Sequence, residues 1–156
     1  WYFMGFQELL MHIHPTFGSF IIPLLVLIFF ISIPFIKYTD IKKGVWFYSP
    51  KGKQLTIISA IFAVVYTFAF VVLSDTVLDL NNRLSEWPSI ISTGLLSSLI
   101  YTLPVMFFMV FLKRKKQACR MEMIIAIVTF ILAAYITMML TGSFLRGEGM
   151  QLIFLV

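Results

Sequence analysis

The sequence predicts an all-α membrane protein with four transmembrane helices and both termini on the outer, periplasmic side. Three observations predict it: an apolar composition, four long unbroken apolar blocks, and basic connections that alternate along the chain. Of the 156 residues, 60% are hydrophobic and 12% charged, and the mean hydropathy is +0.97. A soluble domain carries about 25% charged residues. The whole chain, 1–156, reads as a single transmembrane domain.

The blocks run over about 17–36, 55–73, 90–112 and 123–140, each near the roughly 20 residues of helix that cross a hydrocarbon core. They are continuous instead of alternating, so each must satisfy its backbone groups internally as a helix and not as a barrel strand. The first block reads as a span rather than a secretion signal, because no basic stretch precedes it and no small-residue cleavage site follows it. Pro23 and Pro34 in the first span and Pro104 in the third each remove a donor, so local kinks are expected there.

Lysine and arginine set the orientation. The first connection carries Lys37, Lys42, Lys43, Lys51 and Lys53, and the third carries Lys113, Arg114, Lys115, Lys116 and Arg120. The second has Arg83 among Asp75, Asp79 and Glu86. The positive-inside rule puts the first and third connections in the cytoplasm, leaving residues 1–16 and the tail 141–156 outside. Trp46, Phe47, Tyr48 and Trp87 fit an interfacial aromatic belt. The net charge of +5 and the pI near 9.5 thus reflect topology, and no nucleic-acid partner is expected.

Free-standing catalytic motifs are missing from the sequence: it has no CxxC, CxxCH, P-loop or GxGxxG. Lone Cys119 reads as a reduced thiol, with lipidation or redox sensing as alternatives. His12 and His14 are two residues apart and point in different directions on a helix, so no metal site is expected. They read as interfacial histidines, or as part of a proton exit. No acidic or basic residue falls well inside the four spans, which argues against an ion pump or proton channel in this chain alone. Small residues recur at Ser92, Thr93, Gly94, Ser97 and Ser98, and at Ala133, Ala134 and Thr137. Such faces permit close helix approach, within the chain or to a partner.

The first ten residues, Trp1-Tyr2-Phe3-Met4-Gly5-Phe6-Gln7-Glu8-Leu9-Leu10, form an aromatic segment before the first span. This segment resembles the stretch after the Pro-Glu pair of the PEWY motif in the C-terminal half of cytochrome b, or in subunit IV of cytochrome bc and bf complexes. The likeness is concentrated in about the first 35 residues. The later spans around an acidic outer connection are similar to that family's last helices. A fourth span ending in Phe144-Leu145-Arg146-Gly147-Glu148-Gly149 exceeds subunit IV's usual complement and suggests a divergent bacterial version.

The resemblance implies a subunit of a quinol:cytochrome c, or similar acceptor, oxidoreductase in the bacterial cytoplasmic (inner) membrane. Residues 1–16 would border the quinol-oxidation pocket, with Tyr2, Phe3, Phe6 and Gln7 as quinol-binding residues. A pocket of this kind needs aromatic walls, polar partners for the quinol hydroxyls, and a proton acceptor. The motif's glutamate would stand immediately before Trp1, which leaves Glu8 as the candidate catalytic carboxylate or as a simple interfacial one. The implied cofactor is a quinone, menaquinone or ubiquinone, with b-type haems in a partner subunit. The implied partners are a cytochrome b N-terminal-half subunit, a Rieske iron-sulfur protein and a c-type cytochrome, in a dimeric complex. The alternative is a non-catalytic membrane anchor or assembly subunit. A transporter ranks third, because no midplane charge or broken-helix pair is present.

Overall fold

The computed structural model describes residues 3–36, 47, 49–78, 88, 90–147 and 152–153. Trp1, Tyr2, Lys37, Lys42, Lys43, Trp46, Tyr48, Asp79, Arg83, Glu86, Trp87, Glu148 and Gly149 lie outside the described residues. The described residues are nearly all helical and contain no β-strand beyond an isolated antiparallel bridge between Arg146 and Leu152. Four helices are long and apolar enough to cross a membrane: Phe17–Phe35, Pro50–Thr76, Ile90–Lys116 and Arg120–Leu145. The chain is a multi-pass membrane protein.

Five regular α-helices make up these spans and their approach: α1 Phe3–His12, α2 Ile22–Ser32, α3 Pro50–Leu73, α4 Ser97–Lys116 and α5 Arg120–Leu140. The helices α3 and α5 start before their apolar blocks and α4 ends beyond its block, and local capping chemistry fixes those three ends. Ser49 accepts a hydrogen bond from the Gly52 amide at 2.9 Å, and Pro50 follows at the first helical position, so α3 starts five residues before its apolar block. Gln117 turns left-handed at φ 47° and closes α4. Two residues on, the Glu122 carboxylate accepts from the Cys119 amide at 2.9 Å and opens α5. Ser49 also donates to Glu122, so one buried carboxylate ties the starts of α3 and α5.

The two prolines of the first span fall where the helix changes character. Pro23 follows a wide π-turn over Phe17–Ile21, and Pro34 sits in the tight 3-10 turn Ile33–Phe35 that ends the first span. Pro104 lies inside α4.

The core is the α3/α5 pair. Ser59, Ala63 and Thr67 on α3 face Ala126, Phe130 and Ala134 on α5, and the Ser59 hydroxyl donates to the Ala126 carbonyl at 2.8 Å. Side chains this small let the two backbones approach closely. The small residues of α5 therefore pack within the chain. Against this pair α4 contributes Phe108, whose ring stacks on Phe62 at 3.7 Å between centroids. Tyr66 reaches α4 by donating to the Ile100 carbonyl at 2.8 Å. By contrast α2 has no buried residue. Its apolar surface is left to lipid or to another chain.

Two ends of the bundle differ in charge. Lys51 and Lys53 at the start of α3 meet Lys113–Lys116 at the end of α4, where Lys116 reaches Gln54 at 3.4 Å. At the other end, α1 lies across the close of the fourth span. It rests there through Gly5, beside the backbone of Tyr135 and Met139.

Candidate functional site

The segment 3–12 is a two-faced helix. Gly5, Glu8 and His12 are buried on one face, while Phe3, Gln7 and Met11 are exposed on the other. A four-residue spacing puts Glu8 and His12 one turn apart, and His12 Nε2 lies 3.1 Å from Glu8 Oε1.

Two further charges come from distant parts of the chain. Arg146, just past the last span, donates from Nε to Glu8 Oε2 at 3.1 Å and from Nη2 to Glu8 Oε1. Its Nη1 donates to Asp75 Oδ2 at 2.7 Å. Asp75 lies in the wide turn Ser74–Leu78 that prolongs α3, and its Oδ1 is 3.6 Å from His12 Nδ1. The Phe70 ring covers His12 edge-on at 6.0 Å. Four charged or ionisable side chains from three regions of the chain thus form one cluster.

Burial decides its electrostatics. The Glu8 side chain is fully buried and that of Arg146 is 3% exposed, whereas that of Asp75 is 21% exposed. Burial is the largest influence on the Glu8 carboxyl and pushes its pKa up. The hydrogen bonds from His12 and Arg146, with their charges, outweigh it and hold the group below its ordinary value of 4.5. Desolvation likewise acts against the Arg146 charge, but Glu8 and Asp75 raise its pKa. Among the described residues, no buried side-chain polar atom lacks a hydrogen-bond partner.

Beside the cluster lies a cavity of about 420 Å³. His12, His14, Asp75, Thr93 and Ser97 form its polar wall, and Leu10, Met11 and Ile13 contribute apolar surface. The third span is held against this wall by the His14 amide, which donates to the Thr93 carbonyl at 3.0 Å. Gly94 leaves room for the Phe17 ring, since a Cβ there would lie 2.9 Å from it. The small face of the third span therefore meets the entry to the first.

The sequence-derived site residues divide. Glu8 lies in the ion cluster, with both carboxylate oxygens engaged. Phe3, 65% exposed, and Gln7 are on the opposite face of α1. Phe6 is half-buried, and Tyr2 is outside the described residues. Neither Phe3, Phe6 nor Gln7 is among the residues that line the cavity.

His12 is buried and paired with Glu8. In the sequence Asp75 belongs to an acidic connection and Arg146 to the tail, and neither position signals the other. The four-residue spacing of Glu8 and His12 is the local sequence signal for this pair. The cluster does not fit a metal, because the Arg146 guanidinium already occupies the space between the carboxylates. His14 Nδ1 accepts from the Thr16 amide at 3.3 Å.

No family model, curated protein or solved structure matches the chain.

Proposed function

We propose that this chain is a membrane subunit of a quinol:cytochrome c, or similar acceptor, oxidoreductase, and that it completes the quinol-oxidation pocket beside a di-haem cytochrome b partner. The observation that carries the reading is the cavity of about 420 Å³ with its wall of His12, His14, Asp75, Thr93 and Ser97. Its size suits a small ring, and its polar groups suit the two hydroxyls of a quinol. It opens next to the helix whose sequence resembles the quinol-site segment of cytochrome b. On α1, Phe3, Gln7 and Met11 form a strip about 12 Å long that leads to the cavity. In this reading the partner subunit packs along that strip and turns Tyr2, Phe3, Phe6 and Gln7 into a wall of the completed pocket.

The membrane is the bacterial cytoplasmic membrane, and the cavity end, with both termini, faces outward. The bias of Lys51, Lys53, Lys113, Arg114, Lys115, Lys116 and Arg120 to the opposite end supports this orientation. A Rieske iron-sulfur protein would take electrons from the quinol and pass them to a c-type cytochrome, while the b haems sit in the partner.

Isolation of the intact assembly from native membranes tests the proposal. Haem b and iron-sulfur signals should co-purify, with quinol-dependent reduction of cytochrome c. An assembly without haem, or one that does not oxidise quinol, would overturn it. A second reading, a non-catalytic anchor or assembly subunit, draws on the absence of buried residues from α2, a face open to a partner helix. It would lead if the assembly keeps full quinol oxidation after this chain is removed.

A further inference from the structure

We propose that Tyr66 latches a proline hinge in the third span, and that release of this latch lets residues 90–103 swing and open the cavity between the first and third spans. The inference concerns the cavity wall and holds for any occupant, quinol or other.

Pro104 leaves a gap in α4. An α-helical amide at this position would donate to the Ile100 carbonyl, four residues earlier, and proline has no amide hydrogen. A carbonyl without a donor inside a membrane is destabilising, and a neighbouring helix can supply the donor. Here that donor is the Tyr66 hydroxyl of α3, 2.8 Å from the Ile100 oxygen and 3.1 Å from the Tyr101 oxygen. The adjacent hydroxyls of α4 serve other carbonyls: Ser98 donates to Leu95 at 2.9 Å and Thr102 to Ser98 at 2.8 Å. Tyr66 thus stands in for the missing amide.

The Tyr66 ring is itself held in place. It stacks on Phe62 with 5.3 Å between centroids and 7° between planes, and Phe62 stacks in turn on Phe108. Phe108 follows Pro104 in sequence and Ile100 precedes it. Helix α3 therefore grips the third span on both sides of the proline, by ring contact on one side and by the hydroxyl on the other. On the cavity side the Tyr101 ring also meets Phe70 edge-on at 4.9 Å.

The hinge carries the cavity wall. Thr93 and Ser97 line the cavity, and Ser97 is 4% exposed. Roughly 10 Å of helix separates Ser97 from Pro104. A change of about 20° in the bend at a proline would displace Ser97 by roughly 4 Å, more than a hydrogen bond can stretch. The seam that such a movement opens is the one where the His14 amide donates to the Thr93 carbonyl at 3.0 Å and the Phe17 ring lies against Gly94. Beyond that seam α2 has no buried residue, so little packing is lost there.

The experiment uses the full chain in membranes, with Cys119→Ser to remove the native thiol and Ser97→Cys as the reporter, labelled with N-ethylmaleimide. Tyr66→Phe keeps the ring and its stack on Phe62 but removes the donor. It should raise the labelling rate about fivefold, the shift in open population expected from losing one interhelical hydrogen bond. Pro104→Ala restores the backbone amide and makes the hydroxyl dispensable, so Tyr66→Phe with Pro104→Ala should label within about twofold of the reference chain. A hydroxyl that only ties α3 to α4 would be missed equally in both backgrounds. An equal rise with and without Pro104→Ala therefore overturns the proposal, as does an unchanged rate in Tyr66→Phe. If Tyr66→Phe alone does not assemble, the double variant decides: assembly with reference-rate labelling supports the latch, and failure to assemble or fast labelling overturns it.

Discussion

The guanidinium of Arg146 closes on the carboxylate of Glu8, 138 residues earlier in the chain, donating from Nε at 3.1 Å and also from Nη2. This pair joins the helix that precedes the first span to the residue that follows the last. Removing one partner of a buried ion pair leaves an uncompensated charge, which costs about 3 kcal/mol or more. Arg146→Met should therefore destabilise the chain by about that amount, since Glu8 would remain buried without its main donor. Adding Glu8→Gln should return part of the loss. A double-mutant cycle on detergent-solubilised protein, read by thermal unfolding, measures the coupling. Strictly additive effects would show that the pair contributes nothing of its own.

The depressed pKa of Glu8 has a pH consequence whose sign is fixed. Folding lowers this carboxyl from its ordinary value of 4.5, so the unfolded chain binds its proton first as pH falls. The stabilisation it provides is present above the ordinary value and is lost as pH falls through the lower folded value. Wild-type protein should thus lose thermal stability in acid more steeply than Glu8→Gln, which has no carboxyl to protonate. Parallel melting curves for the two proteins across pH 3 to 6, a range chosen around the ordinary carboxylate pKa of roughly 4, make the comparison. Curves that keep a constant separation would contradict the assignment.

Cys119 offers a native reporter of orientation. It is exposed, and it stands between the basic end of α4 and the start of α5, near the lysine-rich start of α3. Positive charge gathers on the cytoplasmic side. A membrane-impermeant maleimide should label Cys119 in inverted vesicles and leave it unlabelled in intact cells. Labelling from outside would reverse the topology, and the cavity end would then face the cytoplasm.

Hydropathy made the spans legible because each is an unbroken apolar block, and the four predicted blocks coincide with the four long helices. It missed their ends, since Ser49, Gln117 and Glu122 act through single hydrogen bonds and one left-handed residue that a hydropathy average erases. It also missed α1 as a helix, whose ten residues are too short to read as a span. In the cluster, only the Glu8 and His12 spacing was local. Asp75 is 67 residues from Glu8, and Arg146 is 71 residues further on. Charges so far apart in sequence meet only because the turn after α3, the end of the fourth span and α1 share one end of the bundle.

The docking of α1 depends on Gly5. A Cβ built at this position would lie 3.2 Å from the Met139 amide nitrogen, the Tyr135 carbonyl oxygen and the Tyr135 ring. Two of those three atoms are backbone and cannot swing aside as a flexible side chain can. Gly142 faces the same crossing from the other element, with the Met4 carbonyl 3.1 Å from its notional Cβ. Gly5→Ala demands a shift of a few tenths of an ångström and should be tolerated with a small loss. Gly5→Leu should push α1 away from α5, at a cost of about 1–3 kcal/mol typical of overpacking. Because Glu8 and His12 lie on the same face of α1 as Gly5, that displacement also pulls them from Arg146 and Asp75. Gly5→Leu should therefore lower thermal stability and, in addition, remove the acid-dependent loss attributed to Glu8, leaving a melting curve with the pH response of Glu8→Gln. Thermal melts at neutral and acid pH separate the two effects. If Gly5→Leu kept wild-type stability and the wild-type acid response, the close crossing of α1 and α5 would not be what brings Glu8 to Arg146.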